Sequence, residues 1–305
     1  MNQFSFDSSF KSGFVTLVGR PNSGKSTLIN KIIGKKIAIT SSTAQTTRHR
    51  FRAVKTTDDY QLILVDTPGL HKPHDALGEE LNTSALKALE DVDVAVMMID
   101  TSQEVGTGDE WVAAQLSGVR TNKICVLSKI DLVDAETIER QIDAAGKLAQ
   151  WDAVVALSSK NGEGIDEFLE TVTELLPPGP LWFPADMETD QHIEVIVAEF
   201  VREKILRNFS DEIPHAIGVQ TEEMKYSSKK DLTSIRAIVY VERESQKGMI
   251  IGKGGSSIKR IGTQARGDLE RILGTHVFLD LSVNVKKNWR RDATQIRRFG
   301  YGEGA

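Results

Sequence analysis

An apolar run, Phe14–Val18, leads directly into the segment Gly19-Arg-Pro-Asn-Ser-Gly-Lys-Ser26. This segment matches the phosphate-binding loop pattern GxxxxGK[ST], which lies between a strand and the helix that follows it. The residues Lys25–Ile33 are predicted to form that helix. Glycines at both ends allow a tight turn, so that backbone N–H groups and the helix N-terminus can surround a polyphosphate. The sequence therefore predicts a domain that binds a nucleotide at this loop.

Strands alternate with helices through the first 176 residues. Apolar, largely β-branched runs predict strands that are covered on both faces: Phe14–Val18, Phe51–Lys55, Leu62–Val65, Val94–Ile99, Ile124–Leu127 and Ala153–Leu157. Helical stretches separate them near Asp75–Glu90, Asp109–Leu116, Asp134–Leu148 and Ile165–Leu176. This alternation is typical of an α/β fold with a mostly parallel sheet and helices on both faces.

The pattern changes after Leu176. The segment Pro177–Asp190 contains four of the eight prolines and is predicted to be an ordered linker. An amphipathic helix starting near Ile193 follows it, with apolar residues at four-residue spacing. Two strands are then expected, at His215–Gln220 and Ile235–Val241, before a short helix near Gln246–Ile250, a glycine-rich loop, a longer helix and a final strand at Val277–Val285. We expect a first domain over 12–176, a linker over 177–190, an α+β domain over 191–290 and a C-terminal tail over 291–305.

Composition excludes several classes of protein. A chain of 305 residues suggests two domains, and 40% hydrophobic with 27% charged residues is ordinary for a folded chain. The apolar runs are far shorter than a membrane span. Residues Met1–Gly13 lack the basic and apolar regions of a secretory signal, and the single Cys125 fits a reducing cytosol. These features predict a cytoplasmic protein.

Residues after the loop predict a metal-dependent nucleotide site. Lys25 is expected to reach the β- and γ-phosphates, and the Ser26 hydroxyl to hold Mg²⁺. Asp66-Thr-Pro-Gly69 follows the strand Leu62–Val65, which places Asp66 to bind Mg²⁺ through water and the Gly69 N–H to sense a γ-phosphate.

The choice of base is predicted by Ser128-Lys-Ile-Asp131. The Asp131 carboxylate can accept from guanine N1–H and N2–H₂, a donor pair that adenine lacks, so GTP is expected. Ser158-Ser-Lys160 is placed to present a backbone N–H to guanine O6. The predicted GTP-binding residues are Gly19, Arg20, Pro21, Asn22, Ser23, Gly24, Lys25, Ser26, Thr27, Asp66, Thr67, Pro68, Gly69, Leu70, Ser128, Lys129, Ile130, Asp131, Ser158, Ser159 and Lys160.

In these motifs the first 176 residues resemble a Ras-like translation-factor GTPase of the Era family. Gln45-Thr-Thr-Arg-His-Arg50 matches the family's first switch, which makes Thr47 the candidate for a third metal residue beside Ser26 and Asp66, with Thr46 as the alternative. Asp66-Thr-Pro-Gly-Leu-His71 matches the second switch. One position departs: the guanine motif normally begins with Asn and here begins with Ser128. Because serine lacks the reach of an amide toward the base and the phosphate loop, weaker nucleotide affinity is expected.

Leu70 bears on the mechanism. Many Ras-like enzymes have at this position a glutamine that orients the attacking water, and leucine cannot do so, so slow intrinsic hydrolysis is expected. The resemblance implies that a potassium ion, held partly by Asn22, supplies positive charge. An equally open alternative is that Asn22 only tolerates the dihedral angles of the loop. The predicted catalytic residues are Lys25, Thr47 and Asn22.

The second domain contains Ile250-Ile-Gly-Lys-Gly-Gly-Ser-Ser-Ile-Lys259, which looks like the I-G-x-x-G signature of a KH domain (type II). It lies within Gly248–Arg298, where 11 basic and 4 acidic residues give a net charge of +7. An ordinary helix-turn-helix is the alternative. Trp289 is either an aromatic platform for RNA or a core or hinge residue. The predicted RNA-binding residues are Ile251, Gly252, Lys253, Gly254, Gly255, Lys259 and Arg260.

A GTPase followed by a KH module is the architecture of the Era family. The resemblance implies a monomeric factor that binds the 3′ end of 16S-type rRNA and the 30S subunit and acts in subunit assembly, with peripheral membrane association reported in the family. Two alternatives remain: a GTP-gated regulator of messenger RNA, and a switch linked to the membrane or to cell division.

Overall fold

The computed structural model describes residues 9–43, 45–73, 75–90 and 92–302, and within these ranges the chain forms two β-sheets. The strands are β1 Lys11–Gly19, β2 Phe51–Thr56, β3 Tyr60–Asp66, β4 Val94–Asp100, β5 Asn122–Ser128, β6 Ala153–Leu157, β7 Gly218–Ser227, β8 Leu232–Val241 and β9 His276–Val285. The helices are α1 Lys25–Ile33, α2 Ala76–Lys87, α3 Thr107–Leu116, α4 Ala135–Gly146, α5 Ile165–Leu175, α6 Ile193–Asn208, α7 Ile213–Ala216, α8 Glu244–Ile251, α9 Ser256–Leu273 and α10 Ala293–Arg298.

The first sheet has the strand order β2-β3-β1-β4-β5-β6. Only the β2–β3 pair is antiparallel, as expected of two strands joined by the short turn at 57–59. The carboxyl ends of the parallel strands therefore meet at one edge. The phosphate loop follows β1, Asp66 ends β3 and Ser128 ends β5, so all three motifs lie at that edge.

Both faces of this sheet are buried. Along β4, alternate residues enter two different cores: Val94, Val96 and Met98 pack on one face, and Ala95, Met97 and Ile99 on the other. Helices cover the two faces, which satisfies the continuous apolar character of the strand. The predicted mostly parallel α/β class is confirmed.

The second sheet has the order β7-β8-β9, with β7–β8 antiparallel and β8–β9 parallel. Helices α6 and α9 pack on one face through a shared core that includes Phe200, Val201, Ile261 and Leu269. The order of elements after residue 190 confirms the predicted α+β KH module.

The strand predicted at His215–Gln220 differs in its bounds. Residues Ile213–Ala216 form the short helix α7, in which Pro214 occupies a first-turn position where its missing N–H costs nothing. Strand β7 then runs to Ser227. Its second half is polar because β7 is an edge strand that pairs only with β8, so alternation of apolar residues did not mark it.

The segment after residue 290, predicted to be a tail, contains α10 and packs against the first domain. Leu77 and Leu81 of α2 share a core with Trp289, Ile296 and Tyr301. Trp289 is fully buried and its indole N–H donates to the Ala216 carbonyl at 2.9 Å. It is therefore a core residue and not an exposed platform. Residues 303–305 of the predicted tail, like residues 1–8 at the N-terminus, lie outside the described ranges.

Within the described part of the chain, no helix is long and apolar enough to cross a membrane.

Candidate functional site

The phosphate loop takes a conformation that only its glycines allow. Gly19 has φ 154°, and a Cβ there would lie 2.5 Å from the Met98 carbonyl oxygen. Gly24 has φ 99° and immediately precedes α1. The loop thus curls tightly beside β4 and delivers the N-terminus of α1, where backbone N–H groups can receive phosphate oxygens.

Lys25 lies over this loop. Its ammonium group donates to the carbonyl oxygens of Gly19 and Arg20 at 3.2 and 3.0 Å. Burial lowers the pKa of Lys25 to about 8, although the nearby carboxylate of Asp66 opposes that shift. The group is a cation in a poorly hydrated site, which strengthens its attraction for phosphate oxygens.

The three predicted metal residues converge. The Ser26 hydroxyl donates to Asp66 Oδ2 at 2.9 Å and lies 3.0 Å from the hydroxyl of Thr47. Burial raises the pKa of Asp66 to about 6, against the opposing charge of Lys25. The other carboxylate oxygen, Oδ1, is buried without a hydrogen-bond partner. Two hydroxyls and a carboxylate are hard oxygen ligands of the kind that Mg²⁺ prefers.

The structure separates the two candidate threonines of the first switch. The Thr47 hydroxyl faces Ser26 and Asp66, whereas the Thr46 hydroxyl turns back to donate to the Thr43 carbonyl at 2.6 Å. Geometry therefore favours Thr47 as the residue able to approach a metal ion at this position.

The second switch contacts the phosphate loop directly. A Cβ at Gly69 would lie 2.7 Å from the Cα of Pro21, so glycine is needed for this approach. The next amide, of Leu70, donates to the Gly19 carbonyl at 3.0 Å. The Leu70 side chain is a hydrocarbon and is buried, and it therefore cannot orient a water.

The two motifs predicted to bind the base also meet. The hydroxyl of Ser158 donates to Asp131 Oδ1 at 2.6 Å, and the Lys160 ammonium lies 3.8 Å from Asp131 Oδ2. Lys129 has φ 61° and pairs with Asp100. The two loops that follow β5 and β6 thus place the carboxylate of Asp131 at the same edge of the sheet as the phosphate loop.

One cavity of ≈ 860 Å³ lies over the phosphate loop, and Asp131, Ser158 and Lys160 are not among the residues that line it. It is lined by the phosphate loop, by residues of the first switch and by Lys129, and also by residues from the end of α6, including Arg207 and Phe209. A volume of this size suits a nucleotide. The second domain therefore forms part of its wall.

The predicted nucleic-acid loop joins α8 to α9. Gly252, Gly254 and Gly255 have φ of 73°, 60° and 79°, a run of positive values that side chains rarely adopt. A Cβ at Gly254 or Gly255 would meet nothing within 4 Å, so the backbone there is open to a close approach. Lys253, Lys259 and Arg260 are exposed beside it. Ile251, also predicted to contact RNA, is half-buried and packs against the KH core.

Comparison with known proteins agrees with this division. A family model described as 50S ribosome-binding GTPase matches residues 14–129, and a KH domain model matches residues 212–290. The chain is 44% identical to GTPase Era of Alkaliphilus oremlandii over 292 residues, which cover 96% of this chain and 99% of that protein. It is also 44% identical to GTPase Era of Mycolicibacterium smegmatis over 296 residues, with the same coverage of each chain. The chain belongs to the Era family of GTPases.

Solved structures of Era proteins have the same architecture. One is an Aquifex aeolicus Era variant bound to GDP and AlF₄⁻, with a TM-score of 0.93, 37% identity, and coverage of 96% of this chain and 100% of that chain. Another is Era in complex with MgGDPNP and nucleotides 1506–1542 of 16S ribosomal RNA, with the same TM-score and identity, and coverage of 96% and 99%.

The departure from the Era pattern at Ser128 leaves a contact with the phosphate loop, while the expected weaker nucleotide affinity stays a prediction. The Ser128 hydroxyl lies 2.7 Å from the carbonyl oxygen of Ser23 in the phosphate loop and 2.9 Å from that of Ile99. Serine thus keeps a contact with the phosphate loop, contrary to that part of the expectation, and the loss of reach toward the base stays a prediction. The close approach of β5 to the loop lets a short side chain make this contact.

Sequence patterns missed the residues of the second domain that touch the first switch. Arg202 on α6 is fully buried and donates to the carbonyl oxygens of Gln45 and Thr46. In the other direction, Arg48 of the first switch is buried and donates to the carbonyl oxygen of Ile217 in the second domain at 2.6 Å. The sequence carries no clear signal for these contacts, because Glu199 and Arg202 are spaced off the apolar stripe of α6 and would ordinarily be exposed.

Proposed function

We propose that this GTPase binds the 3′ end of 16S-type rRNA through the KH loop, and that the nucleotide at the first domain controls this binding. The supporting observation is the agreement over 96% of the chain with Era in complex with MgGDPNP and nucleotides 1506–1542 of 16S ribosomal RNA. The glycine loop of this chain is open and flanked by exposed cations, as phosphate contacts require.

The roles of the nucleotide-site residues belong to the same proposal. Lys25 and the phosphate loop hold the β- and γ-phosphates, while Ser26, Thr47 and Asp66 hold Mg²⁺, directly or through water. Asp131 selects guanine. Leu70 has no polar atom and does not orient the attacking water. Catalysis then depends on the fixed N–H groups, Lys25 and the metal, which would stabilise the charge on the transferred phosphoryl group.

A potassium ion beside Asn22 is a further part of the proposal. The Asn22 amide nitrogen donates to the Ser42 carbonyl, which leaves the amide oxygen as the atom available to a cation. The positive φ of Asn22, 65°, agrees equally with a purely conformational role. GTP turnover in KCl and in NaCl at equal ionic strength distinguishes the two roles, and equal rates would exclude Asn22 as a potassium ligand.

The RNA proposal is tested with a fluorescent RNA that has the sequence of the 16S 3′ end. Binding is measured with no nucleotide, with GDP and with a non-hydrolysable GTP analogue, against a scrambled RNA of equal length. We expect preference for the 16S sequence and an affinity that differs among the nucleotide states. The same affinity in all three states would reject the control by nucleotide, and no preference over the scrambled RNA would reject the target.

Action on the 30S subunit follows from the same target, and co-sedimentation with small subunits tests it. A chain that ignores the subunits in every nucleotide state would instead support a regulator of other RNAs. The cytoplasmic location, the peripheral membrane association, the monomeric state and the domain bounds given above stay predictions.

A further inference from the structure

Helix α6 begins the second domain but lies against the first switch. Its face toward residues 36–47 contains charged side chains that are almost completely buried, among them Glu199, Arg202 and Glu203. Burial of charges is costly, and a well-packed apolar substitute is often as stable. The presence of these charges therefore has to be explained by the contacts that they make with the first switch.

Arg202 is paired and also reaches beyond its pair. Its Nε donates to Glu199 Oε1 at 2.8 Å, while its two terminal nitrogens donate to the backbone carbonyl oxygens of Gln45, at 3.5 Å, and of Thr46. A guanidinium is a planar fork with fixed donors, so a partner that locks one edge also aims the other. Glu199 thus orients Arg202 toward the peptide that immediately precedes Thr47.

The segment that leads into the first switch, around Thr40, is held by the same helix. Glu203 Oε1 accepts from the Thr40 N–H at 3.0 Å, and the Arg207 guanidinium donates to the Thr40 carbonyl at 3.3 Å. Among the described residues, 37–43 and 45–48 form no regular strand. Side chains of α6 therefore supply hydrogen-bond partners that a neighbouring strand would otherwise supply.

From this geometry we propose that Arg202 is a positioning residue for the metal site of the GTPase. It holds the Thr46–Thr47 peptide so that the Thr47 hydroxyl stays 3.0 Å from Ser26 Oγ, on the side of the loop that faces the proposed metal site. The proposal rests on the role of Thr47 proposed above. In this proposal a residue of the second domain is needed to keep the first switch in the conformation that binds GTP and Mg²⁺.

The consequence is a coupling in both directions. Switch loops in GTPases are ordered by contacts of the γ-phosphate and Mg²⁺ and released on hydrolysis. If Arg202 favours the ordered loop, bound GTP must strengthen the contact between α6 and the loop by the same factor. A ligand that moves the KH domain would then change the affinity for GTP and leave the affinity for GDP almost unaltered.

The test compares the affinities of full-length variants for GDP and for a non-hydrolysable GTP analogue, at limiting and at saturating Mg²⁺. Arg202→Lys keeps a cation beside Glu199 but offers no planar fork. The double variant Glu199→Gln/Arg202→Met removes both charges, so that neither is left buried alone. Arg290→Met is the matched control, because Arg290 joins the same two domains through Asp75 and, among the described residues, forms its ion pairs with Asp75 and Glu242.

We expect both Arg202 variants to bind the GTP analogue at least about tenfold more weakly at limiting Mg²⁺, the scale typical for loss of an outer partner of a metal ligand. Saturating Mg²⁺ should restore most of the affinity, and GDP affinity should match that of the unmodified protein and of the control. Equal losses for GDP and the analogue, or no loss, would overturn the proposal. RNA binding is measured separately, so failure of the RNA target leaves this result interpretable.

Discussion

The Ser26 hydroxyl donates a 2.9 Å hydrogen bond to Asp66 Oδ2, although forty residues separate the two side chains. The contact joins the first turn of α1 to the end of β3. The hydroxyl of Thr47 lies on the same side, and Asp66 Oδ1 is buried without a partner. Uncompensated buried carboxylate oxygens are costly, so this arrangement fits a site that a cation completes.

Replacement of Thr47 by Ala should weaken magnesium-dependent binding of a GTP analogue by about tenfold or more, because one oxygen leaves the metal site. Thr46→Ala is the matched control, since its hydroxyl donates to the Thr43 carbonyl and not to Ser26 or Asp66. Analogue affinity as a function of Mg²⁺ concentration measures the effect. A larger loss in the Thr46 variant would reverse the assignment.

Asp131→Asn should shift preference from GTP toward xanthosine triphosphate, because the amide can donate to the carbonyl that replaces the guanine amino group. Competition between the two nucleotides measures the shift. Ser158→Ala is the control: it removes the 2.6 Å hydrogen bond to Asp131 but keeps the carboxylate, so guanine preference should persist. Unchanged GTP preference in the Asp131 variant would remove Asp131 from base recognition.

Gly254→Asp should weaken RNA binding about tenfold, since it places a bulky anion where the backbone is open to a phosphate. GTP turnover in the absence of RNA should not change. Gly267→Asp, which adds the same charge within α9 at another position with open space, should bind RNA almost normally. Equal affinities of the two variants would contradict the loop assignment.

The Cys125 thiol should resist alkylation at pH 8 in the folded protein. Cys125 lies in the β5 core, where burial, together with the nearby charge of Asp109, raises its pKa to about 12. The folded thiol stays protonated above pH 9, where the unfolded thiol ionises, so the free energy of unfolding should fall as pH rises from 9, by up to about 1.4 kcal/mol per unit. Denaturant titrations of the protein and of Cys125→Ala isolate this contribution. Rapid labelling at pH 8 would contradict the burial.

Local signals in the sequence were sufficient for much of the fold and of the nucleotide site. The bounds of α1, Lys25–Ile33, agree with the prediction, since the glycine loop and the apolar spacing both define that helix. The strand ends carrying Asp66 and Ser128 were also predictable, because buried parallel strands are continuous apolar runs that end at polar residues. The loop that contains Gly252 and Gly254 was predicted from the glycine spacing together with the apolar flanks, the order of elements and the basic stretch around it.

Sequence alone thus determined the motifs and the strands that carry them. It also determined that these motifs meet at one edge, because parallel strands end on the same side of a sheet. Only the tertiary structure showed that the hydroxyls of Thr46 and Thr47 point in different directions and that Trp289 is buried. It also showed that Ser128 reaches the phosphate loop and Arg202 the first switch. The physical reason is range. Helix and strand preferences arise between near neighbours, whereas the direction of a loop hydroxyl and the partner of a buried guanidinium depend on surfaces that meet only when the two domains pack together.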